Sequence, residues 1–142
     1  MNKVIFTDPL GNDEENPSPA EIEELILAGD PKYWHNGSGE MGLRFFTNSE
    51  RRAALYLRRG AEAGLWVDYK DYQANGGGGL QTIKFGHHTG ETIAAMNAAG
   101  EITSNYREYY VPPEVAWEAA EHFLATGAKK PSLDWEKAVY PE

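Results

Sequence analysis

Between residues 43 and 85 the chain carries four short β-like runs whose connections leave little choice of topology. Leu43–Thr47, Ala54–Arg58, Leu65–Tyr69 and Leu80–Phe85 are parted by turn residues: Asn48-Ser49, Gly60 to Gly64, and Asn75 with Gly76–Gly79. A parallel pair needs a crossover of a dozen or more residues, whereas an antiparallel pair needs only a turn. These links are short, so the spacing predicts an antiparallel meander. Within the third run Leu65, Val67 and Tyr69 point one way and Trp66, Asp68 and Lys70 the other, because a strand repeats every two residues.

Helix signals flank this strand-rich centre. After an opening strand, Lys3–Thr7, and a turn at Asp8–Asn12, Ser18 offers an N-cap, Pro19 a first helical residue and Glu21 a capping-box acid. Ile22, Leu25 and Ile26 then share one face, Glu21, Glu23 and Glu24 take the wet side, and Gly29 ends the helix with Pro31 beyond. A second helix starts at Pro112-Pro113 with Glu114 in its first turn. It carries the stripe Ala116, Ala119, Ala120 and Phe123 and stops at Gly127. Residues 91–104 fit helix or strand and are read as strands, with Asn97 and Gly100 as turn residues. Leu133-Asp134-Trp135 reads as an edge strand or a strap. The expectation is one α+β domain over residues 1–142: a single antiparallel sheet of five or more strands, two helices on one face, the other face exposed or used for docking.

Composition narrows the chemistry. None of the 142 residues is cysteine, which excludes a disulfide framework, a Cys nucleophile and a His/Cys/Cys zinc centre. No apolar run is long enough to span a membrane, and the start of the chain does not read as a secretory signal, so a cytoplasmic protein is expected. The net charge of −9 is uneven: residues 1–40 carry −7, residues 41–90 carry +3 and residues 91–142 carry −5. An acidic domain is repelled by nucleic-acid phosphates and anionic membranes, and suits a basic protein partner. Acidity that only keeps the domain soluble is the alternative.

Catalytic signals are sparse. Gly76–Gly79 lacks the Lys and Ser/Thr of a phosphate-binding loop. His87-His88 with Glu91 is the best acid–base or metal candidate, yet adjacent residues of a strand face opposite ways, and no metal-ligand spacing accompanies them. Asp68 and Asp71 fall on opposite faces, and Asp68 with Lys70 reads as a solvated pair. No catalytic residue, cofactor or metal is therefore expected. Aromatic residues are more informative: Trp34, Trp66, Tyr69, Tyr72, Tyr106, Tyr109 and Tyr110 suit either a core or an interface.

The carboxy-terminal third carries a motif. Val111-Pro112-Pro113-Glu114, Phe123-Leu124-Ala125-Thr126-Gly127, Pro131 and Leu133-Asp134-Trp135 together resemble the first-numbered immunity-protein family of bacterial polymorphic toxin systems. The resemblance implies a protein that neutralises a secreted toxin in the producing cell, characteristically a nucleic-acid cytidine deaminase, by stoichiometric binding over its active site or nucleic-acid groove. The motif residues identify a scaffold and do not mark the toxin-binding surface. For that surface the expected anchors are Trp34, Trp66, Asp68, Tyr69 and Tyr72, with Glu21 and Glu24 steering a basic partner. Tyr69 lies on the face opposite Trp66 and Asp68, so these residues cannot all serve one surface. Two other readings stay open: a small enzyme using His87 or His88 with an acid, and an interaction module that does not inhibit its partner.

Overall fold

The computed structural model describes residues 2–28, 33–34, 37–60, 64–72, 80–96 and 102–141. The expected turn residues Gly29, Asn75 to Gly79, Asn97 and Gly100 lie outside them, as does His35. Strand β1 (Asn2–Thr7) turns through Asp8–Asn12 into β2 (Asp13–Glu15), and helix α1 follows at Pro19–Leu27. The meander then runs through β3 (Glu40–Thr47), β4 (Glu50–Arg59), β5 (Leu65–Asp71) and β6 (Leu80–Ile83). A hairpin of β7 (Thr92–Met96) and β8 (Ile102–Tyr106) leads by one 3-10 turn, Arg107–Tyr109, into β9 (Tyr110–Val111). Helix α2 (Pro113–Thr126) and β10 (Trp135–Glu136) complete the described elements.

Eight strands form one antiparallel sheet in the order β10-β6-β5-β4-β3-β1-β2, with β9 also paired to β5. The hairpin β7–β8 is a separate two-stranded sheet, so the expectation of one sheet is met by the main layer and corrected by this addition. Asn105 Nδ2 ties the hairpin to β9 by donating to the Tyr110 hydroxyl at 3.0 Å. Residues 92–96 and 102–106 are strands, as their neighbours suggested. Strand β2 has no sequence signal, because Asp-Glu-Glu is a poor strand former. It forms because Asn16 closes the hairpin twice: its N–H donates to Val4 O at 2.7 Å and its Oδ1 accepts from Val4 N at 3.0 Å.

Helix ends follow local chemistry. Ser18 Oγ accepts from Glu21 N at 3.2 Å, satisfying one of the orphan donors of α1. Gly127 closes α2 in the left-handed conformation, φ 73°, and a β-carbon there would strike the Phe45 ring. Ile22 and Ile26 of α1 and Ala116, Ala119, Ala120 and Phe123 of α2 join Leu43, Leu55, Leu57 and Val67 in one buried cluster. Both helices therefore cover the same face of the sheet. Small alanines let α2 lie close, while Phe123 meets Phe45 edge-on with ring centres 6.1 Å apart. No helix among the described residues is long and apolar enough to cross a membrane.

Candidate functional site: the uncovered sheet face

Alternation in β5 sends Trp66, Asp68 and Lys70 away from the helices, and strand register decides what they meet. Across the sheet Arg58 stands opposite Glu40 and Trp66, while Tyr56 stands opposite Gly42 and Asp68. Arg58 becomes the hub. Its Nη2 donates to Asp68 Oδ2 at 3.3 Å, its Nε lies 3.9 Å from Glu40 Oε2, and its guanidinium sits 5.2 Å from the Trp66 ring centre. Trp66 Nε1 donates to Asp68 Oδ1 at 2.7 Å, so both Asp68 oxygens are engaged.

Asp68 is 7 % exposed, which corrects the expected solvated pair with Lys70: its cation is Arg58, diagonally across on β4, and not the residue two along the same strand. Burial pushes the Asp68 carboxyl up, against the opposing pull of Trp66 and Arg58. Burial likewise raises Glu40, with Arg58 opposing. Tyr56 is pushed up to about 12, by burial first and then by its contact with the Tyr72 hydroxyl, 3.5 Å away. Lys70 and Arg51 lie over the Tyr72 ring at 5.0 and 4.1 Å. A hollow of about 310 Å³ opens among Glu40, Tyr56, Arg58, Asp68, Lys70 and Tyr72. A second, of about 500 Å³, shares Glu40 and Tyr56 and extends to Thr7, Asp8 and Arg44, so two adjoining hollows form a grooved stretch of this face.

Of the expected anchors, Asp68 forms the floor of this groove and Tyr72 its rim. The others are placed differently. Trp66 is 2 % exposed, walled in by Tyr109, Tyr110 and a stacked Tyr140 at ring distances of 5.0, 5.5 and 6.0 Å. Tyr69 is buried on the helix face, edge-on to Phe123 and Trp135. Trp34 is fully buried in the core. As the chain stands these three offer a partner almost no surface, because aromatic area is gained as readily by packing inside a small domain as by binding. Glu21 and Glu24 sit on α1, outside the groove. The Glu21 carboxyl is held above its usual range, chiefly by the Glu14 carboxyl beside it. Burial raises the pKa of the Tyr33 hydroxyl first, and Asp8, Glu21 and Glu14 add to it; Asp8 also lines the groove, so this acidic edge borders it there. Glu40, Tyr56 and Arg58 were missed by sequence reasoning; the alternation of β4 carried the signal for Tyr56 and Arg58 once its register with β5 is known, and Glu40 follows only from the pairing of β3 with β4.

A second constellation lies beyond β6. The backbone from Lys84 to Glu91 is laced to its neighbours: Lys84 N donates to Asp134 O and Phe85 N to Glu108 O, both at 2.8 Å, and Arg107 N donates to Glu91 O at 2.9 Å. His88 Nδ1 faces Glu108 Oε2, so the acid that meets this histidine is Glu108 and not the expected Glu91. Glu91 instead pairs with Arg107 at 3.5 Å. Beside Glu108 opens a cavity of about 580 Å³. Among the described residues no group of three or more His, Asp or Glu is placed to hold a metal ion. Comparison with known proteins finds no family model that matches the chain and no curated protein similar to it.

Proposed function

We propose that the chain is an immunity protein: a stoichiometric, non-catalytic inhibitor that binds a secreted bacterial toxin of the nucleic-acid cytidine-deaminase class inside the producing cell. The observation that carries this reading is the sheet face that no helix covers among the described residues, with two adjoining hollows between Asp8 and Tyr72 and the acidic residues of β2 and α1 beyond them. An enzyme that grips phosphates needs a basic surface, and such an edge competes for the same field. Glu21 and Glu24 steer the encounter, and Asp68, through Arg58, fixes the shape of the groove floor. Tyr72 supplies rim contact. Trp66 contributes by holding Asp68 in place.

Co-expression with the toxin domain encoded beside this gene tests the reading. Restored growth together with a one-to-one complex on a sizing column is expected. An active toxin that is neither bound nor neutralised overturns it.

A further inference from the structure

The cavity beside Glu108 is independent of the groove and of the inhibitor reading. Glu108 lies in the 3-10 turn before β9, is 5 % exposed, and lines the cavity. Its Oε2 meets His88, but its Oε1 is buried with no hydrogen-bond donor among the described residues. A buried carboxylate oxygen without a donor is costly, and a group bearing N–H donors removes that cost.

The nearby cations are already engaged: Lys84 lies 3.3 Å from Glu136 and 3.8 Å from Asp134, and Arg107 pairs with Glu91. His88 does not itself line the cavity, whereas His87 does. The apolar part of the remaining wall is made by an exposed Phe85, Tyr110 and the Pro112-Pro113 pair, and the polar part by His87, Thr89 and the Glu91–Arg107 ion pair. An ammonium ion would have to shed its tight hydration against such walls. A guanidinium is planar and weakly hydrated, stacks on aromatic faces, and presents a fork of donors to carboxylates. We propose that this cavity is a guanidinium-binding site, with Glu108 as the buried anion, Phe85 and Tyr110 as stacking surfaces, and Glu91 as an outer carboxylate shared with Arg107.

The test is a titration of the intact chain with N-acetyl-arginine amide, followed by backbone amide NMR shifts of Gly86 and Glu91. The citrulline and lysine counterparts serve as neutral and ammonium controls. Saturable millimolar binding of the arginine probe is expected, with the controls weaker by about tenfold or more. Glu108→Gln, which keeps the size of the side chain, is expected to abolish that preference. Should Glu108→Gln not fold, Glu91→Gln and Phe85→Ala, both at exposed residues, each weaken the arginine probe several-fold. Agmatine in a parallel arm separates the two sources of this group: tighter binding of the blocked residue assigns the site to a protein's arginine, and tighter binding of agmatine to a free guanidine. Equal binding of citrulline, unsaturated shifts with every guanidine probe, or full arginine binding by a folded Glu108→Gln overturns the proposal.

Discussion

On one side of β4 and β5, Leu55, Leu57 and Val67 are sealed with Phe123 and the alanines of α2. One residue along each strand, on the other side, Tyr56, Arg58 and Asp68 build a charged hub beside Trp66. The two faces share a backbone but are held by different physics. The helix face depends on apolar area removed from water, about 1.5–3 kcal/mol for each large side chain, and needs only shape. The uncovered face buries charge, which is tolerated only while every partner is present. A loss on the first face leaves a void, and a loss on the second leaves an unpaired group.

Substitutions that separate these mechanisms differ in size. Phe123→Ala is expected to cost the most, about 3–5 kcal/mol in urea denaturation, because it empties the centre of the helix face. A cost near that of a surface change would show that the two layers are not packed as described.

Asp68→Asn comes next, at about 1–3 kcal/mol, since it keeps a partner for Trp66 but strips Arg58 of the nearer of its two carboxylates. Its mark is in the pH dependence. Folding raises the Asp68 pKa above its ordinary 3.8, so the folded chain binds more protons, and this group's contribution falls as pH rises from 3.8 through the folded value. The variant lacks that slope, so its cost is expected to be larger in acid than at neutral pH. A cost that instead grows toward neutral pH would mean that Asp68 is stabilised as an anion.

Tyr109→Phe should cost about 1 kcal/mol, because the hydroxyl donates to Glu136 Oε2 at 2.8 Å and accepts from Val139 N at 3.0 Å. That donation is the main cause that holds Glu136 below its usual 4.5, so its stabilisation is present above 4.5 and lost as pH falls through the folded value. In Tyr109→Phe the Glu136 titration, followed by NMR, should move up toward 4.5. Glu24→Lys, at an exposed residue of α1, is expected to leave stability within about 0.5 kcal/mol. On the proposed function it slows association with a basic toxin and weakens its salt dependence, read by stopped-flow at two ionic strengths.

The elements were legible where a local rule writes them. The Ser18-Pro19 cap, the Gly127 stop, the alanine stripe of α2 and the alternation of β5 each follow from chemistry within a few residues. The candidate site was legible only in part. Alternation places Trp66 with Asp68 and against Tyr69, but whether an aromatic is wall or anchor depends on residues far along the chain. Tyr109, Tyr110 and Tyr140 bury Trp66, and Phe123 with Trp135 buries Tyr69.

By itself the sequence determined the antiparallel order of the meander, the two helices and which residues share a strand face, because those depend on turn length and on periods of 3.6 and 2. Tertiary structure alone decided that Asp68 is buried with Arg58 and that His88 meets Glu108, 20 residues away. Register between strands and the meeting of distant loops are set by the packing of the whole chain. No local pattern contains the energy of a pair that forms only when the sheet closes.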